Sequence, residues 1–383
     1  MKKNIVKILA VILCSVCFVT YKFYDATNVE DTKTNTIKPN NNMLSMMLET
    51  SAGSGKYEVS SLNTWPTDGY IFNSELSKCE NGSAITWDDT NKQVIYNSKV
   101  TDKCYIYFDL IPIISLTEYV ISQYTGTQGE NGLYYHDSNL ANGAGDNSYR
   151  YAGANPNNYI CLNSDEEPCP DNNLYRIIGA FGEDNHGVAE QQLVKVIKNT
   201  SIGNIAWNTT TSNNWSNASL NKTLNSTFKT ENLSEIEDKI AEVTWKISGH
   251  NINGVTANAF YIAEIANATN TYQEKIGLIY ASDYGFAPEQ IYWTVKLSDY
   301  GFSVQKRDWL YLSSFEWFLS PYSSSNNAWY IGTGGSVNGN AVTNTNSVRP
   351  SFYLTSNVVY VSGTGTSTDP IRVKWGIIWK KQL

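Results

Sequence analysis

The chain is short of the side chains that carry most catalysis. Its 383 residues include three histidines, six cysteines and four methionines, and no cysteine follows Cys169. No His-Glu-x-x-His zinc pair, Gly-x-Ser-x-Gly nucleophile elbow or phosphate-cradling Gly-x-x-x-x-Gly-Lys loop occurs. His136, His186 and His250 each stand in Gly/Asn-rich surroundings, the setting of a solvated loop residue rather than of a catalytic set. Charge is also scarce. Only 17% of residues are charged and the net charge is −8, which excludes the basic face that a nucleic-acid binder needs for phosphates. The expectation is therefore no catalytic residue, no cofactor, no metal and no nucleic-acid partner.

Aromatic and small polar residues take the place of the missing groups. The chain holds 11 Trp, 26 Tyr and 12 Phe among 26 Gly, and Asn, Ser and Thr are abundant, a composition of strands and turns rather than long helices. The N-terminus "MKKNIVKILAVILCSVCFVTYKFY" is an exception. Lys2 and Lys3 lead an apolar run whose uncharged part, Ile8 to Tyr21, is short of the ~20 residues of a full span, although Lys7 and Lys22 extend it by snorkelling. A small-x-small cleavage site is poorly formed, with Tyr24 two residues before Ala26. Residues 1–27 read first as an uncleaved signal anchor and second as a cleaved signal peptide. The leading lysines place the N-terminus inside and the rest outside. Cys14 and Cys17 are then small apolar residues of the membrane segment.

Residues 28–42, "NVEDTKTNTIKPNNN", read as a flexible linker. A small β-rich module over 43–110 is predicted from "KYEVSS", "GYIFNS", "SAITWDD", "KQVIYNS" and "KCYIYFD", each alternating apolar and polar residues. Cys79 and Cys104 flank part of it. Cys161 and Cys169 close "CLNSDEEPC". Four cysteines allow three connectivities, and proximity favours Cys79–Cys104 and Cys161–Cys169. Zinc is the rival, but neither pair has a nearby His, and export favours disulfides. The acidic run "NSDEEPCPDN" offers Asp165, Glu166, Glu167 and Asp171 to calcium, but without EF-hand spacing, and reads as a solvated loop.

A larger domain, 114–375, opens on "SLTE", a capping box with Ser115 and Glu118. "YRIIGAFG" and "QLVKVIKN" read as a strand pair. Leu220, Leu224 and Phe228 mark a helix, and "SEIE" at 234–237 marks a second capping box followed by Ile236, Ile240 and Val243 on one face. "KIGLIYASDYG" reads as a buried strand and "SSFEW" as a helical turn. "SFYL", "VVYVSG" and "PIRVKW" close the domain as strands. Few helices and many short strands make the fold class α+β. Residues 376–383 are a basic and aromatic tail, read either as a last strand or as a contact for an anionic surface.

"NNWSNASLNKTLN", "IGLIYASDYGFA", "WLYLSSFEWFLSPYSSSNNAWYIGTGGSV" and "SVRPSFYLTSNVVYVSGTGTSTDPIRV" together resemble a bacterial surface-domain family of unknown activity. That family is similar to C-type-lectin-like domains of the sulfatase-modifying-factor type. The resemblance covers roughly 114–375, with "VRPSFYL" its most specific part, and 43–110 looks like a frequent partner module of such anchored proteins. It implies a C-type-lectin-like fold whose last third displays loops on one exposed face. In "NAWYIGTGGSVNGNAVTNTNSVRP", Trp329, Ile331, Val337, Val342, Val348 and Pro350 are expected to face inward, with Asn338-Gly339 as a tight hairpin turn. Tyr322, Asn326, Asn327, Tyr330, Thr333, Ser336, Asn338, Asn340, Thr343, Asn344 and Asn346 are then the candidate ligand-binding residues. Such side chains form adaptable recognition surfaces and equally form plain solvated turns. The Asn enrichment resembles that left in lectin-like proteins by diversity-generating retroelements. The related formylglycine-generating enzymes work through late cysteines, which are missing here. The Glu-Pro-Asn, Gln-Pro-Asp and Trp-Asn-Asp triplets of calcium-dependent lectins are missing as well.

Three functions compete on these grounds. The first is an anchored receptor or adhesin on the extracellular face of a bacterial cell, or a secreted one if the N-terminal segment is cleaved, with an unknown protein or glycan ligand. The second is a structural envelope protein without a specific ligand. The third, and weakest, is an enzyme of unrecognised type.

Overall fold

The computed structural model describes residues 35–36, 39, 43–66, 69–97, 102–252, 254–323 and 326–375. The N-terminal membrane segment with Cys14 and Cys17, most of the linker 28–42 and the tail 376–383 lie outside the described residues. No helix among the described residues is long and apolar enough to cross a membrane. The chain divides into two compact units between Pro112 and Ile113. The architecture is α+β, mostly strands with a few short helices.

The first unit contains β1 (Asn35–Thr36), β2 (Leu44–Glu49), β3 (Tyr57–Val59), β4 (Tyr70–Cys79), β5 (Ala84–Asp88), β6 (Gln93–Asn97) and β7 (Cys104–Leu110). They form two sheets, ordered β3-β2-β7-β4 and β1-β6-β5. All five predicted pieces contain strands, and β2, not among those pieces, runs parallel to β7. Period-two alternation puts Leu44, Met46, Ile106 and Phe108 in the core, where Trp87 meets Phe108 edge-on at 5.2 Å. Cys79 and Cys104 stand directly opposite one another on β4 and β7 and are disulfide-bonded.

In the second unit β8 (Leu133–Tyr135), β9 (Tyr149–Tyr151), β10 (Tyr159–Cys161), β11 (Leu174–Phe181) and β12 (Leu193–Lys198) come first. Then follow β13 (Asn204–Ala206), β14 (Val243–Lys246), β15 (Thr271–Glu274), β16 (Ile276–Gly277), β17 (Glu316–Pro321) and β18 (Asn327–Ile331). The last are β19 (Val337–Ala341), β20 (Thr345–Ser347), β21 (Ser351–Tyr353), β22 (Val358–Ser362) and β23 (Ile371–Trp375). The main sheet runs β16-β21-β12-β11-β10-β23-β22, with β9 also on β11 and β8 on β9. A second sheet runs β13-β20-β17-β18-β19, and β14 pairs with β15. Every residue of β11 and β12 is buried, as expected of central strands covered on both faces. Gly179 is required in β11, because a Cβ there would stand 2.0 Å from the Tyr149 carbonyl of β9.

Ser115 and Glu118 form the predicted capping box of helix Leu116–Ser122. The helical segment after Trp215 buries Leu220, Leu224 and Phe228, passing through a π turn at Leu224–Phe228. Three predictions need correction. "SEIE" is a 3-10 turn, Ser234–Lys239, without a side-chain cap; Ile236, Ile240 and Val243 are buried, but Val243 already belongs to β14. "KIGLIYASDYG" is strand only at β16 and helix at Ala281–Gly285. Burial of both parts masked the change of period. "SSFEW" runs into β17 rather than a helical turn, because Glu316 and Trp317 pair with Ile331 and Tyr330.

Cys161 and Cys169 are also disulfide-bonded. Asp165, Glu166, Glu167 and Asp171 of that loop are exposed, and Arg372 of β23 ties it down, donating to the Ser164 carbonyl at 2.6 Å and to Glu167 at 2.6 Å. Chain entropy gives the Cys79–Cys104 crosslink about 3.5 kcal/mol and the shorter Cys161–Cys169 loop about 2.5 kcal/mol. Peptide mapping without reductant should recover both linkages. Cys79→Ala/Cys104→Ala should lower the stability of the first unit more than Cys161→Ala/Cys169→Ala lowers that of the second, measured by denaturant unfolding.

Candidate functional site

A compact cluster of charged side chains lies inside the second unit. Lys195, on central strand β12, donates to Asp283 at 2.6 Å, and Arg150, on β9, reaches Asp283 at 3.2 Å and Asp146 at 2.7 Å. These four side chains are at most 3% exposed. Two cations face two carboxylates, so the group is neutral as a whole. The Lys195 ammonium also lies among the rings of Tyr280, Trp245, Tyr353 and Phe181, 4.4 to 5.8 Å from their centroids. Burial pushes the Lys195 pKa down against the pull of Asp283. Burial would raise the Asp146 carboxyl, but Arg150 holds it below the usual carboxylate range.

The predicted solvated histidines are corrected here. His136 and His186 are fully buried and His250 is half-buried. His136 Nδ1 accepts from the Ala144 amide at 3.0 Å, its Nε2 has no partner, and burial together with Arg150 lowers its pKa to about 3. His186 Nε2 donates to the Phe181 carbonyl at 3.0 Å. Both are neutral core residues.

The candidate ligand-binding residues on and around β17–β20 are all uncharged. Asn326, Thr333, Thr343 and Asn344 are exposed, and Tyr322, Asn327, Tyr330, Ser336, Asn338 and Asn340 are half-buried. Asn346 is buried, against expectation; its Oδ1 accepts from Asn340 at 3.4 Å and its Nδ2 has no partner. It lies on β20, which is paired with β13 on one side and β17 on the other. Trp329, Ile331, Val337, Val342, Val348 and Pro350 are all buried, as the pattern predicts.

Asn338 and Gly339 are not a turn. Both lie within β19, and the β18–β19 turn is Gly332–Ser336, closed by Gly332 N to the Ser336 carbonyl at 2.8 Å. Gly335 takes φ +86° there, and its carbonyl accepts from buried Tyr284 Oη at 2.7 Å. The polar run thus caps an aromatic interior through its backbone. Gly339 is needed for another reason: a Cβ would stand 2.8 Å from the Tyr322 ring, which packs on Trp329 at 4.5 Å. Strand pairing matches Tyr330 with Asn338 and Ala328 with Asn340, while Asn327, Trp329 and Gly339 belong to the opposite face. The candidate residues are therefore split between two faces of one ribbon.

A cleft of about 980 Å³ begins where that ribbon bends. Pro321 and Ser323 of the β17 end form one side, Asn213, Asn214, Trp215 and Ser216 another. Ile247–Gly249 after β14 and Ala263, Asn267 and Thr269–Tyr272 leading into β15 complete it. None of these described lining residues is charged. Two devices hold the walls. Gly249 lets the chain pass Pro321, where a Cβ would meet the carbonyl at 1.7 Å. Asn213 Nδ2 donates to the Tyr322 and Asn327 carbonyls at 2.9 and 3.0 Å. The π turn Ile262–Ala266 has Ala263 on the cleft and, one residue on, fully buried Glu264. Glu264 accepts from the amides of Ala281 and Ser282 at 3.1 and 2.9 Å and from Ser320 Oγ.

Sequence reasoning missed this cleft. A signal was present in "ANATNTYQ" (266–273), an uncharged polar run next to an equally uncharged "TSNNWSN" (211–217). A second cleft, of about 610 Å³, differs in being lined by Asp146, Glu183, Asp184 and Lys246. No group of three or more His, Cys, Asp or Glu able to hold a metal ion occurs among the described residues. No family model, curated protein or solved structure matches the chain.

Two outcomes follow from the buried groups. Asp283→Asn leaves Lys195 and Arg150 short of a carboxylate in the core and should cost about 3–5 kcal/mol in equilibrium unfolding. Burial raises Glu264 from an ordinary 4.5 to about 7. The folded state then binds the extra proton, so the contribution of Glu264 to stability is fully present below pH 4.5 and is lost as pH rises from there through about 7. The stability difference between the wild type and Glu264→Gln should shift by about 3 kcal/mol over that window.

Proposed function

We propose that the chain is a non-catalytic recognition protein of a bacterial cell surface, held there by its N-terminal segment and contacting a protein or glycan through its second unit. On this reading the second unit is C-type-lectin-like, as its sequence resemblance implies, and the first is a disulfide-stabilised stalk module. The observation that carries it is the sorting of side chains. Asp146, Arg150, Lys195 and Asp283 pair with each other inside. The exposed hairpin region presents neutral Asn, Ser, Thr and Tyr, which hydrogen-bond without demanding a charged partner. Two disulfides fit an oxidising, extracytoplasmic compartment. A structural envelope role is the second reading, favoured by the chain of amides in which Asn344 donates to Asn340 at 2.7 Å and Asn340 to Asn346, so that these side chains bond to one another.

Exposed Asn326, Thr333 and Asn344 should be replaceable together by Ala with little change in melting temperature, each costing less than ~0.5 kcal/mol. Trp329→Ala should cost ~3–5 kcal/mol. Cells displaying the full chain should adhere to an immobilised panel of glycoproteins, and the triple variant should reduce adhesion at least tenfold. Absence of adhesion by the wild type would favour the envelope reading, whereas full adhesion by the folded triple variant would move the recognition face off the hairpin to another part of the second unit.

A further inference from the structure

We infer that the uncharged cleft between residues 213–216, 247–249, 263–272 and the end of β17 is a metal-independent binding site for a neutral saccharide. The inference rests on the recognition reading but places binding away from the exposed hairpin residues, at groups the sequence pattern did not single out.

The lining decides the ligand class. Without a charged side chain, the cleft has no counter-ion for a phosphate, a carboxylate or an ammonium group. Its apolar side chains, chiefly Ile247, Ala263 and Pro321, are too few for a hydrophobic ligand or for the side-chain pockets of a bound peptide. What remains is a set of amides and hydroxyls, each both donor and acceptor. A sugar hydroxyl is the same kind of group, so the two surfaces match without desolvating any charge.

These polar groups are also uncommitted. The side chains of Asn267, Thr269, Asn270, Thr271, Tyr272 and Ser323 make no hydrogen bond to a described residue. Elsewhere the same residue types are used internally, as when Asn225 donates to Asn221 and to the Ile276 carbonyl. The walls are fixed in advance by the Asn213 bridges and by Glu264, which keeps the ordering cost of binding low.

An array of neutral and acidic oligosaccharides, probed with the full chain with and without EDTA, tests this. Neutral hexose or N-acetylhexosamine glycans should bind, EDTA should change nothing, and Asn270→Ala/Thr271→Ala should weaken binding at least tenfold while the melting temperature holds. The exposed triple variant Asn326→Ala/Thr333→Ala/Asn344→Ala separates this site from the broader reading. Neutral-glycan binding that the triple variant abolishes and the cleft variant preserves would keep the recognition function and overturn the cleft assignment. No neutral glycan bound, binding of acidic glycans alone, or binding abolished by EDTA would each overturn it outright.

Discussion

The carboxylate of Asp283 is the point on which the second unit turns. It accepts from Lys195 on β12 and Arg150 on β9, and its Oδ2 also accepts from the Tyr280 amide at 3.0 Å, starting the helix Ala281–Gly285. One side chain thus joins two strands of the main sheet to the helix Ala281–Gly285. In an interior of low dielectric such a group is expensive to bury and much more expensive to leave half-made. That asymmetry fixes the register of β9 and β12 and the position of the helix more narrowly than apolar packing alone would.

The next shell follows from it. The first amides of Ala281–Gly285 point to Glu264, and Glu264 in turn holds Ser320 of β17. The π turn carrying Glu264 faces the cleft with its neighbours Ala263 and Asn267. A charged cluster in the interior and an uncharged cleft are thus linked through one chain of contacts. That cleft can meet a ligand only through neutral hydrogen bonds and ring contacts.

Much of the fold was legible because burial and period agreed. The strand pair β11–β12, the capping box at Ser115 and the Leu220–Leu224–Phe228 helix were each marked by local pattern. Errors came where tertiary contacts overrode it. Asn338-Gly339 has turn chemistry but lies in a strand, because Tyr322 needs the empty face of Gly339. His136 and His186 have polar neighbours in sequence and aromatic or backbone neighbours in space. Asn346 looked solvent-facing by alternation, yet β20 has partners on both sides. The site was hardest to read. It is assembled from separate segments spread between Asn213 and Ser323, and no single segment stands out except by its lack of charge.

Hydrogen exchange followed by mass spectrometry on the full chain tests the central role of Asp283 most directly. If its carboxylate ties the helix to the sheet, the amides of Ala281–Gly285 should exchange at the same slow rate as those of β11 and β12, through a common global opening. Helix amides that exchange orders of magnitude faster than those strands, while the strands stay protected, would contradict the account.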